Sequence, residues 1–491
     1  MKTERKLSDF FEKFDNLDVR PSLDQYEGSL LLSAIGDALG WPTEFLDPAK
    51  TSRLPFKLPI RTFVSWRKQV GGKWWGYFDD IEAGDYSDDT QLTLAVARCI
   101  SDSGNFEPDR FAYYELPLWL QYQRGGGRSI KAAARALIRG KAEWNKNFYK
   151  VEDLTYKNAG ANGAAMRNLP IALASANNCK KLIKDSFFNS IITHGHPRAI
   201  IASMLYAAAL RYALSDSEEI GIIDYLTSTI RKSWSLISSE PVVRQWVTEW
   251  EKDDVRRAHF DTIMNETLNE TCLFLNAIPK YLHEKNEKDY YWHIGAFDPA
   301  TKGSGIVTVC SALFLFLRNR GYPGDSLTTA VNLLGSDTDT IASFLGSLLG
   351  ARYGLGSIPE YLGKQIQDYD YLQKNAQRLY KICNGQITEE YEENRLIERK
   401  QAYIKILAWE IGLHEMFWDA IGEGGVVTHP TLGKGLITRK IVESIPRENY
   451  VAKLLHVQFD SGQSCVFHSR VEKDGRVSES LAKDLEKALH K

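Results

Sequence analysis

Residues 335–340 read Gly-Ser-Asp-Thr-Asp-Thr and separate two apolar runs, Ala-Val-Asn-Leu-Leu at 330–334 and Ile-Ala-Ser-Phe-Leu-Gly-Ser-Leu-Leu-Gly at 341–350. The second run predicts a buried helix, and a helix N-terminus favours carboxylates through its partial positive charge and its N–H groups. Asp337 and Asp339 are therefore candidates for either of two roles. They cap the helix, with Asp337 at the N-cap, or they bind something placed at the helix start.

Residues 87–90 repeat this chemistry earlier in the chain. They read Ser-Asp-Asp-Thr and precede Gln-Leu-Thr-Leu-Ala-Val-Ala at 91–97, so an acidic, hydroxyl-bearing cluster again opens an apolar helix. Hard divalent cations such as Mg²⁺ and Mn²⁺ take oxygen ligands from carboxylates, hydroxyls and water. Two such helix starts, brought together, could surround two divalent ions.

Length and composition are those of an ordinary globular chain. The 491 residues allow two or three domains or one large helical enzyme, and 43% hydrophobic with 25% charged residues is typical of such proteins. The net charge of -2 argues against a generally cationic nucleic-acid binder, and a local basic patch stays open. The six cysteines form no Cys-Xaa-Xaa-Cys pair, so we expect reduced core residues rather than a disulfide framework or a zinc site.

The N-terminal residues show no sign of a targeting segment. Residues 1–24 are polar and lack an apolar h-region, and no stretch reaches the roughly 18 apolar residues of a membrane helix. We therefore expect an N-terminal arm at 1–24, a cytoplasmic protein and no membrane partner.

Apolar periodicity predicts one helix after another between residues 25 and 385. The first is expected at 28–40, where Pro42 stops it, and the next begins near Asp89. Asp37 lies inside the first apolar run and needs a partner or a site, because burying an unpaired carboxylate is costly. Further helices are expected near 108–122, 128–139, 163–177, 181–192, 197–214, 239–252, 260–278, 304–319, 325–334, 340–353 and 365–383.

Residues 47–86 are expected to form a long, loop-like aromatic excursion that lines a cleft. The stretch contains Trp66, Trp74, Trp75, Tyr77 and Phe78. The alternative is that these rings belong only to the core.

Two connections between helices could contact a ligand. Residues 158–167 form a small-residue loop that opens an Ala-rich helix, which suits close backbone approach to phosphate oxygens, although glycines before a helix are common. His194 and His196 stand at a helix junction and could ligate a metal or contact substrate. A capping role at that junction is the alternative.

Taken in chain order, these motifs resemble the ADP-ribosylglycohydrolases, the group that includes the dinitrogenase reductase-activating glycohydrolase. The motifs are residues 36–40 with Glu44, 87–91, 162–167, 194–197 and 335–340. The resemblance covers roughly residues 25–385. It implies a mainly α protein with a compact all-α catalytic domain over 25–385, two Mg²⁺ or Mn²⁺ ions in a cleft, and removal of ADP-ribose from a modified macromolecule, protein or nucleic acid.

Carried over by position, the resemblance implies three sets of site residues. Catalytic roles fall to Glu44 and Asp88. The metal ligands are Ser87, Asp88, Asp89, Asp337, Asp339 and Thr340. The substrate-binding residues are Asn162, Gly163, Ala164, Met166, His194, His196, Gly335 and Ser336. The chain departs from the family pattern at Ser336 and Ser87, where a glycine and a threonine are usual, and neither departure removes a carboxylate.

The chemistry of the bond agrees with these residues. Breaking the bond at the anomeric carbon of ADP-ribose builds positive charge on the sugar, and the ribose diol is a natural ligand for two hard cations. A carboxylate can assist proton transfer to the leaving group or from water. We expect the diphosphate to rest on helix N-termini and on the loop at Asn162 and Gly163, and an aromatic ring from residues 63–78 to stack on adenine.

The character of the sequence changes beyond about residue 385. Residues 386–422 predict a connecting helix, and residues 477–491 a helical tail. Short alternating strands with Gly and Asp-Ser-Gly turns at 423–476 predict a small antiparallel β-barrel. The turn at 429–435 and the hairpin at 459–462 resemble the Tudor- or SH3-like module at the end of some bacterial DNA helicases.

Basic residues exceed acidic ones in this C-terminal region, seven to four. The excess predicts a nucleic-acid or protein contact through the barrel, and ordinary solvated charge is the alternative. The residues are Lys434, Arg439, Lys440, Arg447, Lys453, Arg470 and Lys473 against Glu443, Glu448, Asp460 and Glu472.

Three functions stay open on the sequence. The first is a metal-dependent hydrolase whose barrel recruits the target. The second is a catalytically silent ADP-ribose-binding protein, and the third is a hydrolase of a free ADP-ribosylated small molecule. Retention of every expected acidic ligand favours turnover, while the sequence leaves the linkage open between arginine, serine, another amino acid and a nucleobase.

Overall fold

The first helix, α1 (Leu23–Gly40), shows how the sequence builds the helical core. In the computed structural model the Ser22 side chain accepts a hydrogen bond from the Gln25 amide, and the Gln25 side chain accepts one from the Ser22 amide, which makes a capping box. Every residue of α1 from Tyr26 onward is buried. Pro42 follows in a 3₁₀ turn, so the predicted helix is confirmed, although it begins earlier than predicted.

The structure describes residues 17–70, 77–138, 142–252, 259–319, 322–386, 401–410, 422–444, 450–472, 483 and 486–487. The further helices are α2 (Asp88–Ala97), α3 (Pro108–Arg110), α4 (Leu116–Trp119), α5 (Arg128–Ile138), α6 (Leu169–Ala174), α7 (Cys179–Ile191), α8 (Pro197–Ala213), α9 (Ile222–Ile237), α10 (Pro241–Glu251), α11 (Phe260–Tyr281), α12 (Lys288–Ile294), α13 (Gly305–Arg318), α14 (Pro323–Val331), α15 (Thr338–Tyr353) and α16 (Tyr369–Cys383). A π-helical turn, Phe111–Glu115, joins α3 to α4. The predicted helical body is confirmed, and α9 and α12 are helices that the sequence reading did not predict.

Glycines let α1 and α15 pack backbone to backbone at the centre of the body. A Cβ atom added at Gly36 would overlap the Ala342 carbonyl, and one at Gly350 would overlap the backbone of Gly28. Side chains of any size would push the two helices apart. We call this contact the glycine seam, and it brings the end of α1 against the first turn of α15.

The predicted aromatic excursion contains a β-hairpin. Strand β1 (Trp66–Val70) pairs antiparallel with β2 (Tyr77–Ile81), and Lys68 lies opposite Asp79. The prediction of a loop was wrong for these residues. The side chains of β1 alternate between half-buried and exposed positions, a pattern that suits a two-stranded ribbon. Trp74 and Trp75 lie outside the described residues. A second short ribbon pairs β3 (Lys150–Val151) with β4 (Leu154–Thr155).

Four antiparallel strands form the C-terminal sheet, in the order β5 (Val426–His429), β6 (Gly433–Ser444), β7 (Tyr450–Phe459) and β8 (Ser464–Glu472). Within the described residues β5 and β8 are the two edges, so the sheet is open and the predicted barrel is not confirmed. Residues 401–410 are helical, whereas 387–400, 411–421 and most of the predicted tail lie outside the described residues.

Aromatic side chains on one face of the C-terminal sheet pack against the helical body. The centre of the Phe467 ring lies 5.6 Å from that of Tyr122, which follows α4. The ring of His429 lies 4.8 Å from Trp409, in the helical stretch 401–410. The sheet therefore continues the hydrophobic core of the body.

Polar contacts cross the same boundary. The Arg98 guanidinium donates a hydrogen bond to the Gln463 side chain at 2.7 Å. The His468 amide donates to the Gln121 carbonyl at 2.9 Å, just before a loop that forms part of the cleft described below.

All six cysteines are buried, and none is in a disulfide, which confirms the expectation of reduced core residues. Within the described ranges, no helix is both long and apolar enough to span a bilayer.

Candidate active site

A cleft of about 380 Å³ opens where the starts of α2 and α15 meet. The fold brings both acidic motifs of the sequence into this one place. Ten of the predicted site residues line the cleft: Glu44, Asp88, Asp89, Asn162, Gly163, Met166, His194, Asp337, Asp339 and Thr340.

The start of α2 is fixed from behind by Asp37. Its carboxylate accepts hydrogen bonds from the amides of Ser87 at 3.2 Å and Thr90 at 3.0 Å, and from the Thr90 hydroxyl at 2.6 Å. Asp37 is fully buried, so the predicted need for partners is confirmed. The Ser87 hydroxyl accepts from the Asp89 amide at 3.2 Å, which places this predicted ligand at the N-cap of α2 rather than in the lining of the cleft.

The start of α15 is built differently. Asp337 occupies the N-cap position, yet its side chain makes no capping hydrogen bond. Its Oδ2 instead accepts from Asn162 Nδ2 at 3.0 Å. A carboxylate that is turned from the helix amides toward a cleft is available to a ligand, so the geometry favours the ligand role over the cap.

Negative charge is concentrated in the cleft, where four aspartates are each at most 9% exposed: Asp88, Asp89, Asp337 and Asp339. Burial raises the pKa of Asp88 to about 7, and the nearby Glu44 carboxylate adds to the effect. Burial also raises the pKa of Asp337 to about 6. For Asp89 and Asp339, burial first and neighbouring carboxylates second raise the pKa well above the ordinary value. Ionising all four carboxylates therefore needs a positive partner.

The donor set of the cleft fits hard divalent cations. Asp89 Oδ2 is buried without a hydrogen-bond partner in the described structure, and carboxylate and hydroxyl oxygens are the ligands such ions prefer. Five carboxylates line the cleft against three cationic side chains, Lys68, Arg128 and Lys131. Among the described residues no three His, Cys, Asp or Glu side chains already form a metal-binding group, so the two-metal centre stays a prediction.

The loop at Asn162 and Gly163 is held against the cleft by the buried Arg167. The guanidinium donates to the Gly163 carbonyl at 2.6 Å and to the Thr193 hydroxyl at 2.8 Å. The Thr193 hydroxyl also lies 2.7 Å from Nδ1 of His194. Burial, with the charge of Arg167 second, lowers the pKa of His194 to about 3, so the ring faces the cleft as a neutral imidazole.

Four other predicted substrate-binding residues are not in the lining of the cleft: Ala164, His196, Gly335 and Ser336. His196 Nδ1 accepts a hydrogen bond from the Arg198 amide at 3.1 Å. This residue therefore caps the helix, the role that was the alternative to binding a metal or substrate. Gly335 has a φ of 97°, and the Ser336 carbonyl accepts from the Phe45 amide at 3.0 Å.

The aromatic excursion reaches the cleft through Lys68 rather than through a ring. Lys68 Nζ lies 3.5 Å from Glu44 Oε2, and Trp66 packs edge-on against Trp41 with ring centres 5.3 Å apart. Neither Trp66 nor Phe78 is in the lining, and the Tyr77 side chain lies outside the described residues. The adenine-stacking role of residues 63–78 stays a prediction.

The sequence reading missed the glycine run at 125–127, which forms one wall of the cleft. The Asp88 amide donates to the Arg124 carbonyl at 3.0 Å, and a Cβ at Gly125 would overlap Asp88 Oδ1. Gly125 and Gly126 also have φ values of 119° and 85°. The sequence carried a signal for this loop, because three glycines directly before a helix let backbone amides approach an anion closely.

The fold and the cleft together define a class of protein, a helical body with a carboxylate-lined cleft beside a glycine-rich loop. The family model for ADP-ribosylglycohydrolase matches residues 19–389, and the chain belongs to this family. It is therefore a glycohydrolase. The match ends before the C-terminal sheet, so the predicted helicase-type module and its nucleic-acid or protein contact stay predictions.

Several relatives match across most of their own length. The chain is 24% identical over 373 residues to ADP-ribosylarginine hydrolase Tri1 of Pseudomonas putida, covering 73% of this chain and 78% of the relative. It is 26% identical over 399 residues to ADP-ribosylhydrolase ARH3 of Danio rerio, covering 76% and 95%. An uncharacterized protein of Archaeoglobus fulgidus is 23% identical over 362 residues, covering 73% and 97%.

Proposed function

We propose that the protein hydrolyses the bond between ADP-ribose and a modified macromolecule with the help of two divalent metal ions. The observation that carries the proposal is the meeting of two acidic helix starts, with Asp337 turned away from its capping role and Asp89 Oδ2 unsatisfied. The ligands would be Asp88, Asp89, Asp337, Asp339 and Thr340. Bound Mg²⁺ or Mn²⁺ would supply Lewis acidity to the ribose diol and to a water molecule.

The protein's own groups orient the reacting atoms and move the proton. Asn162 holds Asp337 in place at 3.0 Å. Glu44 lines the cleft and lies close enough to Asp88 to raise its pKa, so we assign Glu44 the transfer of a proton from water toward the leaving group. In sum, a water hydroxyl bonds to the anomeric carbon and a water proton ends on the leaving group.

The glycine run at 125–127 and the start of α5 suit the diphosphate, since backbone amides at a helix N-terminus favour anions. Arg128 and Lys131 line this cleft and also an adjoining one of about 620 Å³. Phe148, Tyr149 and Leu154 line the adjoining cleft, which gives the adenosine half of ADP-ribose an apolar surface. The names of the relatives Tri1 and ARH3 agree with removal of ADP-ribose.

Metal removal tests the proposal. Release of ADP-ribose from ADP-ribosylated proteins should stop in excess EDTA and return with Mg²⁺ or Mn²⁺, whereas Zn²⁺ should serve poorly for want of soft ligands. The melting temperature should rise on adding Mn²⁺, because a ligand that binds only the folded state stabilises it, and Asp89→Asn should remove that rise. Full turnover in excess EDTA would contradict the proposal.

A further inference from the structure

Lys68 brings a cation into the cleft beside Glu44. It lies on β1 opposite Asp79 and is part of the cleft lining. Its Nζ is 3.5 Å from Glu44 Oε2, and its side chain is 25% exposed. None of the sequence motifs includes this residue, because it belongs to the hairpin.

Two rings and the hairpin hold this ammonium group in one position. Nζ lies 4.6 Å from the centre of the Trp41 ring and 5.8 Å from that of Trp66. Asp79, its partner across the hairpin, accepts a hydrogen bond from Arg124 Nε at 3.1 Å. A lysine that is held by rings and a carboxylate presents its charge at a defined point, unlike a solvated surface lysine.

A second lysine flanks the segment that carries Glu44. Lys302 Nζ lies 4.6 Å from the ring centre of Phe45, the residue after Glu44. Gly303, next in the chain, lines the cleft. Two cations, Lys68 and Lys302, therefore flank the segment that carries Glu44.

We propose that Lys68 makes the enzyme select ADP-ribose linked to a hydroxyl oxygen, such as that of a serine side chain, over ADP-ribose linked to an arginine guanidinium. This specificity rests on the hydrolysis proposed above. A guanidinium at that place needs a carboxylate partner, but Glu44 is already paired with Lys68, and the four aspartates of the cleft are assigned to the metal ions. Like charges in a partly desolvated cleft also repel, so the guanidinium is disfavoured while a neutral hydroxyl linkage is not.

The reaction balances for a hydroxyl acceptor. The bond between the anomeric carbon and the serine oxygen breaks, the water oxygen bonds to the carbon, and a water proton ends on the serine oxygen. Negative charge develops on the leaving oxygen before that proton arrives. The fixed ammonium of Lys68 stabilises this charge, which adds a catalytic advantage to the charge-based selection.

Matched peptides that carry ADP-ribose on serine or on arginine test the proposal. The Mg²⁺-loaded wild type should show a kcat/KM about tenfold or more higher for the serine-linked peptide. Lys68→Met keeps the length of the side chain and should narrow that ratio about tenfold, whereas Lys68→Arg keeps the charge and should preserve it. Arg67→Gln, on the next residue of the same strand, is the control that should leave the ratio unchanged.

A second measurement reads binding instead of turnover. Agmatine, which carries a guanidinium, should inhibit the wild type weakly, and Lys68→Met should bind it more tightly. Equal or faster cleavage of the arginine-linked peptide by the wild type overturns the role of Lys68, as does an unchanged ratio in folded Lys68→Met. If the metal-loaded wild type cleaves neither peptide, the proposed hydrolysis itself fails, and the specificity fails with it.

Discussion

Asp337 stands at the N-cap of α15 but does not use its carboxylate as a cap. Asp337→Asn keeps the shape and removes the charge. We expect the free energy of unfolding to change by less than about 1 kcal/mol, because no capping bond is lost. Turnover should fall by on the order of 100-fold or more if the carboxylate is a metal ligand. Urea denaturation and ADP-ribose release measure the two effects, and normal turnover in the folded variant would return Asp337 to a structural role.

The glycine run offers a matched pair of substitutions. Gly125→Ala would force a methyl group into Asp88 Oδ1 at a φ of 119°. Gly127→Ala meets nothing within 4 Å. We expect Gly125→Ala to lower ADP-ribose release by about tenfold or more, since it displaces an acidic residue of the cleft. Gly127→Ala, whose methyl group would stand in open space, should lower the rate less than Gly125→Ala does, and equal rates for both variants would argue against a close contact with Asp88.

At the scale of single residues, the sequence predicts side chains that belong to a recognisable local motif. It misses side chains whose role depends on contacts that only the folded chain makes. Asp88, Asp89, Asp337 and Asp339 could be found because each sits at a helix start in an acidic, hydroxyl-bearing motif. Lys68 could not, because its role depends on a hairpin that places it beside Glu44. The glycine run carried a readable signal, although its contact with Asp88 appears only in the folded chain.

At the scale of elements, the glycine seam determines where the two acidic helix starts lie. Gly36→Ala would force a methyl group into the Ala342 carbonyl, whereas Gly356→Ala, outside the seam, meets nothing within 4 Å. We expect Gly36→Ala to lower the free energy of unfolding by about 3 kcal/mol, as overpacking in a rigid core does, and Gly356→Ala to have little effect. Urea denaturation of both variants is the measurement, and equal midpoints would mean that the helices separate without cost.

Helices that combine an apolar stripe of useful length with a capping or proline signal were predictable, and the two missed helices lack that combination. Helix α9 is rich in β-branched residues and has Gly221 at its N-cap without a side-chain hydrogen bond, so its intrinsic propensity is modest and packing in the core stabilises it. Helix α12 has only seven residues, too few for a periodic pattern. The sheet at the C-terminus was predicted as strands, but closure into a barrel depends on pairing between its edges, which local pattern does not determine.

At the scale of the whole molecule, the C-terminal sheet is packed as part of the body. His429 is buried between the sheet and Trp409, and its Nδ1 accepts from the amides of Thr431 and Leu432 at 3.2 Å each. The turn that resembles a helicase module thus serves this interface. The predicted division into a catalytic body and a recruiting module stays a prediction, and the two parts share one hydrophobic core.

Burial makes this interface sensitive to acid. Burial, with the charge of Arg98 second, lowers the pKa of His429 well below its ordinary value. Below about pH 6.5 the unfolded chain takes up a proton at this histidine while the folded chain does not. The contribution of His429 to the stability of the folded chain is therefore present above that pH and is lost as the pH falls. Lowering the pH from 7.5 to 5.0 should therefore reduce the free energy of unfolding by about 2 kcal/mol through this residue.

Urea denaturation of His429→Asn at the two pH values checks this expectation. The variant should lose that part of the pH dependence, whatever its stability at pH 7.5. His283→Asn, at an exposed position, serves as the surface control. An unchanged pH dependence in His429→Asn would show that other groups govern the acid response.

The glycine seam also limits how the cleft can move when a substrate enters. Helices in backbone contact cannot slide or separate by small steps, since a close-packed interface resists gradual deformation. We therefore expect the start of α15, which lines the cleft and packs on α1, to stay fixed during binding and release. We expect breathing motions instead at the glycine run and the β1–β2 hairpin, so that substitutions there change the rate of product release more than substitutions in α15 do.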